Sequence, residues 1–233
     1  MRNAAYLHRR TELETYFDRT ASEAWAKLTS DAPVSGIRAT VRAGRDQMRA
    51  ALLSALPEDL TGARMLDAGC GPGQLAIEAA RRGAEVIAVD LSPTLLDLAR
   101  ERAAGETFRG RITFAPGDML DPAHGNVDFA VAMDSLIHYP AAEIAASLEA
   151  LAPRVAQSIV FTFAPKTMLL TLMHQAGALF PRGDKAPAIE PVSETKLRRL
   201  IGQSEILEPF AALPSAEVSS GFYISRAMEL ARR

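Results

Sequence analysis

The stretch Leu66-Asp67-Ala68-Gly69-Cys70-Gly71-Pro72-Gly73 leaves few folds open to this chain. A short apolar run ends beside an acid, three glycines alternate, and a helix-forming segment, Gln74–Arg82, follows. Glycines let the backbone turn sharply and approach a ligand closely, and a helix start offers amide donors that have no intrahelical partner. Such a strand–turn–helix unit belongs to a doubly wound α/β sheet, where ligands gather at the carboxyl ends of the strands. The dinucleotide-binding version spaces its glycines G-x-G-x-x-G. Here the spacing is G-x-G-x-G with Asp67 just ahead of it, an acid that repels a pyrophosphate and suits a cation.

The next strand ends in a second acid, Asp90, 17 residues after Gly73. A carboxylate there accepts from both hydroxyls of a ribose. An acid for an ammonium group and an acid for a ribose, placed around a glycine turn, point to S-adenosylmethionine. Its expected binding residues are Asp67, Gly69, Gly71, Gly73, Asp90 and the adjoining Leu91. Gly117-Asp118-Met119 follows the third strand, where this fold covers an adenine. Asp118 is expected to accept from the exocyclic amine and Met119 to pack on the ring, although an Asp in a turn has a purely local use as well. Asp134, just past the fourth strand, is expected at the same site, while Cys70 reads as a small loop residue rather than a reactive thiol.

The rest of the chain alternates in the same way. Strands are expected at Met65–Ala68, Glu85–Val89, Ile112–Ala115, Val127–Met133 and Ser158–Phe163, and helices at Gln74–Arg82, Pro93–Ala103 and Ala141–Leu151. Near the end, Glu205–Ala211 and Phe222–Met228 read as a hairpin around a Pro-containing loop. The expectation is therefore an α/β, Rossmann-like, class I methyltransferase fold. Its seven-stranded sheet is mostly parallel and closes with a C-terminal antiparallel hairpin. Residues 1–57 form a helical extension, with residues 1–30 as one helix carrying Tyr6, Leu13, Tyr16, Phe17, Trp25 and Leu28, and a second helix after Pro33. Residues 58–233 form the main domain, with an insertion at about 165–192.

Composition narrows the setting. The 233 residues are 48% hydrophobic and 23% charged, enough for one α/β domain with a sizeable core plus an extension. The net charge of −2 gives no reason to expect nucleic acid. A single cysteine excludes an intrachain disulfide and fits a reducing cytoplasm. No apolar run is long enough to span a bilayer, and the Arg-rich start lacks the apolar core of a secretory signal; a peripheral membrane contact stays open. The four histidines are scattered, so no protein-bound metal is expected.

Several segments resemble the magnesium-protoporphyrin IX O-methyltransferases of (bacterio)chlorophyll synthesis. They are Tyr16-Phe17, Val41-Arg42-Ala43-Gly44-Arg45, the glycine loop, Asp134-Ser135-Leu136-Ile137-His138-Tyr139-Pro140, Thr162-Phe163-Ala164-Pro165-Lys166-Thr167 and Phe222-Tyr223-Ile224-Ser225-Arg226. The resemblance implies transfer of a methyl group from S-adenosylmethionine to a propionate of Mg-protoporphyrin IX. It also implies a photosynthetic setting, peripheral contact with photosynthetic membranes, and the large porphyrin-binding subunit of magnesium chelatase as a partner. It assigns the reacting carboxylate's surroundings to His138 and a role in a closing N-terminal arm to Tyr16, although residues 17–25 depart from the family's usual arm motif.

A propionate is already ionised at neutral pH, so His138 is expected to orient it rather than to act as a strong base. The Met- and Leu-rich segment Met168–His174, with Lys166, Arg182 and Lys185, is a candidate porphyrin cover or membrane contact, and Arg38, Arg42 and Arg45 are candidate partners for the second propionate. Two other readings compete: an O-methyltransferase acting on another small molecule such as a quinone precursor, where His138 must be a general base, and a cofactor-binding protein without turnover.

Overall fold

The computed structural model describes residues 4–20, 36–166 and 189–233. Its seven strands are β1 (Arg64–Ala68), β2 (Glu85–Asp90), β3 (Arg111–Pro116), β4 (Val127–Ala132), β5 (Val155–Phe163), β6 (Phe210–Ser220) and β7 (Tyr223–Arg232). They lie in the order β3-β2-β1-β4-β5-β7-β6. All neighbours from β3 to β5 pair in parallel, and β7 runs antiparallel to both β5 and β6. The strand order reverses between β1 and β4, so the crevice expected in such sheets opens there.

Alternation along the strands divides the core. Leu66, Ala68, Ala130 and Ala132 face one side, and Met65, Phe129 and Val131 face the other. The first side is covered by α5 (Ala141–Leu151) and α6 (Glu194–Gly202), together with Tyr6 and Leu13 of α1 (Ala4–Thr15). The second is covered by α2 (Gly36–Ser54), α3 (Gln74–Arg81) and Leu96 of α4 (Pro93–Ala103). α2 presents Met48, Leu52 and Leu53 to this face, at the spacing of a helix stripe, and packs against β6 and β7. α4 starts where Ser92 caps it by accepting from the Leu95 amide.

Three expectations need correction. The first hairpin strand does not occupy Glu205–Ala211: that stretch turns until Phe210, and the strand continues to Ser220. Pro214 therefore lies inside the strand, where the register shifts between Pro214 and Glu217. β6 is the sheet's edge, where a residue without an amide donor is tolerated at a bulge. α6 was not expected at all, although Ser193 caps it and Leu197 and Ile201 bury one face. The N-terminal helix stops at Thr15 and passes into a wide turn, Tyr16–Thr20; Trp25 and Leu28 lie outside the described residues.

Candidate functional site

A cleft opens at the carboxyl ends of β1 to β4. The glycine loop forms its floor, with Gly69, Cys70, Gly71, Pro72, Gln74 and Leu75 facing it. Backbone bonds hold this loop to β2: the Gly69 and Cys70 amides both donate to the Val89 carbonyl at 2.9 Å. The three glycines all have positive φ, +84°, +51° and +80°, which other residues adopt only at a cost. Gly69 is also pinned by contact, since a Cβ there would stand 2.4 Å from that of Ser135. Gly73 has the expected conformation at the start of α3 but is not among the cleft residues.

Asp67 is 1% exposed at the cleft wall. It accepts from the Ala76 amide in the first turn of α3, yet its Oδ2 is buried without a hydrogen-bond partner. Burial, reinforced by the Asp90 charge, pushes its pKa up to about 7. A buried carboxylate oxygen without a donor is costly and demands one. That atom fits an ammonium ion and rejects a phosphate.

Asp90 ends β2 and fastens the loop, accepting from the Gly71 amide at 2.7 Å and the Ser92 amide at 2.9 Å. Burial raises its pKa as well. Leu91, Gly117, Asp118 and Met119 complete this end of the cleft. Asp118 is already well supplied with donors. Its Oδ1 accepts from the Tyr6 hydroxyl at 2.9 Å and the Leu120 amide at 2.8 Å, and Arg10 lies 3.3 Å from its Oδ2. Cys70 is buried, which pushes its thiol pKa up and away from reactivity.

Across the cleft, Asp134 begins the loop after β4 with a φ of 57°, a left-handed conformation that no other non-glycine shares among the described residues. Its backbone amide donates to the Thr162 hydroxyl at 2.7 Å, and its carboxylate accepts from Arg45 at 2.6 Å and the Tyr223 hydroxyl at 3.0 Å. The Ser135 hydroxyl donates to the Ala68 carbonyl, seating this loop on the glycine loop. A single 3₁₀ turn, Leu136–His138, then brings His138 to the cleft, 8% exposed.

The N-terminal segment reaches three loops of the rim. Tyr6 stacks on Tyr139 at 5.5 Å and bonds to Asp118; Phe17 lines the cleft with its ring 5.9 Å from that of His138. Asp18 accepts from the Thr94 hydroxyl and lies at hydrogen-bond distance from Ser92, at the start of α4. Tyr16 is half-buried, edge-on to Phe17 at 5.2 Å, and is not among the residues lining the cleft. In the sequence Phe17 is a helix-face residue and part of the segment shared with the resembling family, with nothing to mark it as a cleft residue. Its place beside His138 depends on the turn at Tyr16–Thr20, which no local pattern announces.

Of the three arginines expected for a second propionate, Arg45 is committed to Asp134, Arg38 is exposed, and neither Arg38 nor Arg42 lines the cleft. Met168–His174, Arg182 and Lys185 lie outside the described residues, and Lys166 is exposed. Among the described residues no three His, Cys, Asp or Glu side chains gather as a metal site, and no helix is long and apolar enough to cross a membrane.

Known proteins with this sequence pattern are close at hand. The family model described as magnesium-protoporphyrin IX methyltransferase C-terminus matches residues 132–232, and a general methyltransferase domain matches residues 65–157. The magnesium-protoporphyrin O-methyltransferase of Rhodobacter capsulatus is 50% identical over 225 residues, covering 96% of this chain and 97% of that one. The Synechocystis protein of the same name is 32% identical over the whole of both chains. The crystal structure of magnesium protoporphyrin IX methyltransferase from Synechocystis with bound SAH superposes with a TM-score of 0.80 at 29% identity, over 96% of this chain and 100% of that one.

Proposed function

The chain belongs to the magnesium-protoporphyrin O-methyltransferase family, and from that premise we propose a division of labour within its cleft. The protein is an S-adenosylmethionine-dependent methyltransferase that converts Mg-protoporphyrin IX to its monomethyl ester, leaving S-adenosylhomocysteine. The observation that carries the assignment to this cleft is the partnerless Oδ2 of Asp67, buried beside the glycine loop. Bound there, S-adenosylmethionine would supply a methyl carbon activated by its cationic sulfur, with the thioether of S-adenosylhomocysteine as the leaving group.

Asp67 takes the ammonium group, Asp90 the ribose hydroxyls, and Gly69, Gly71 and Gly73 shape the turn that lets the ligand lie on the backbone. Leu91 and Met119 flank the adenine, with Asp118 at its amine and Asp134 closing the opposite wall. The acceptor propionate is ionised at neutral pH, so the chain's task is to orient and desolvate it. His138 does this from the cleft wall, with Phe17 beside it. Of the extension expected at 1–57, residues 4–20 act as the arm that covers the site on the domain formed by 58–233, whereas α2 packs on the sheet as part of the core, and Tyr16 supports that cover through Phe17. No protein-bound metal takes part in this reading; the magnesium arrives with the substrate.

We place the enzyme in the cytoplasm, in peripheral contact with photosynthetic membranes, and receiving its porphyrin from the large subunit of magnesium chelatase. Vesicle co-sedimentation and pull-down with that subunit test these two contacts. The activity is tested by incubating the protein with S-adenosylmethionine and either Mg-protoporphyrin IX, metal-free protoporphyrin or a quinone precursor. Ester formation with the magnesium chelate is the expected result. Turnover of the quinone precursor alone, or of no acceptor, overturns it.

A further inference from the structure

Three sequence segments far apart in the chain converge on Asp134. Arg45 comes from α2, Tyr223 from the start of β7, Thr162 from β5, and all three bond to Asp134. Gly44, next to Arg45, is part of the same fitting: a Cβ there would stand 2.6 Å from the Tyr223 ring, so only glycine lets the ring lie against α2. Tyr223 is 9% exposed and its hydroxyl pKa is raised by burial and by Asp134, so it stays a donor.

We infer that Arg45 and Tyr223 are positioning residues for the acceptor half of the site, acting through Asp134 to fix the turn that carries His138 into the cleft. The inference rests on the methyl-transfer reading above. A non-glycine residue at φ 57° is held against its backbone preference, and such a conformation persists only where its surroundings over-determine it. Here the surroundings are an ion pair whose side chains are 14% and 7% exposed, a buried phenol and a fully buried threonine. From Asp134 to His138 the chain makes only Ser135 and one 3₁₀ turn, with Leu136 fully buried, so little slack separates the network from the imidazole. The donor's acid, Asp67, is fixed from α3 instead, by the Ala76 amide. Loosening Asp134 therefore disturbs the acceptor more than the donor.

The test compares Tyr223→Phe, which keeps the ring and removes the hydroxyl, with Arg45→Met and Arg45→Lys. Measured quantities are kcat and KM for Mg-protoporphyrin IX, the Kd for S-adenosylhomocysteine by calorimetry, the melting temperature, and the His138 imidazole resonances by NMR. The expected result is a kcat lowered about tenfold in Tyr223→Phe and further in Arg45→Met, with S-adenosylhomocysteine Kd within about twofold of the parent. Arg45→Lys recovers much of the loss, and the His138 resonances shift in both weakened variants. Unchanged kcat and His138 resonances with a lowered melting temperature overturn the inference, because the network is then structural only. A Kd that weakens in step with kcat overturns it as well. An inactive parent protein refutes the methyl-transfer reading instead, and the His138 resonances still decide whether the network sets the imidazole.

Discussion

The loops after β1 and after β4 touch across the cleft and are built in opposite ways. The first is held through its own backbone amides, which donate to the Val89 carbonyl and the Asp90 carboxylate, and the acid at its head keeps one buried oxygen without a donor. The second is held by side chains from three other elements, and the acid at its head is engaged by an arginine, a tyrosine and a threonine. On the proposed reading the first loop reserves its charge for a ligand, whereas the second uses its charge to hold its own shape. Two carboxylates in one cleft thus take different parts because of what surrounds them.

Asp67→Asn should break the first loop's part most sharply. Removing one partner of a buried charge pair costs several kcal/mol, so the Kd for S-adenosylhomocysteine should rise about a hundredfold or more by calorimetry. Folding stability at pH 8 should hold or increase, because the amide has no charge to bury. On the opposite side, His138→Ala should lower kcat about a hundredfold in the ester assay while leaving that Kd near the parent value. Equal losses of binding in the two variants would erase the contrast between the loops.

Acidity sharpens the comparison further. Asp67 has a folded pKa of about 7, above its unfolded value near 3.8, so between those limits the folded protein holds a proton that the unfolded chain has released. Its contribution to stability is complete below pH 3.8, is lost as pH rises towards 7, and is flat beyond. Ligand affinity runs the other way, since the ammonium group needs the ionised acid. S-Adenosylhomocysteine binding should weaken by up to about tenfold per pH unit below 7, and Asp67→Asn should abolish that slope.

Smaller effects test the second loop's packing. Gly44→Ala forces the Tyr223 ring to move, and overpacking of this kind costs about 1–3 kcal/mol, read as a fall of several degrees in melting temperature. Tyr6→Phe removes one hydrogen bond to Asp118 and should cost about 1 kcal/mol, seen as a severalfold weaker Kd.

The same contrast decides what the sequence made legible. The β1 loop is local: acid, glycines and helix start follow one another within a dozen residues, so spacing alone points to a cation-binding turn. Asp134 was placed at the site by its position after β4, but Arg45 and Tyr223 each lie 89 residues away, and no periodicity connects them. Tyr6 and Leu13 read as a helix face, yet the face does not say that its target is Tyr139 and Asp118. The hairpin was misplaced for a different reason. A proline between two apolar runs reads as a loop residue, whereas an edge strand with a bulge accommodates Pro214.

The N-terminal segment has a further consequence. Tyr6, Phe17 and Asp18 each touch a different loop of the rim, so the segment's docking and the occupancy of the cleft draw on the same surfaces. Linkage makes such a relation reciprocal: whatever factor docking contributes to ligand affinity, the ligand returns to docking. On the proposed reading residues 4–20 are a reporter as well as a cover, and their resistance to proteolysis should rise as S-adenosylhomocysteine fills the cleft.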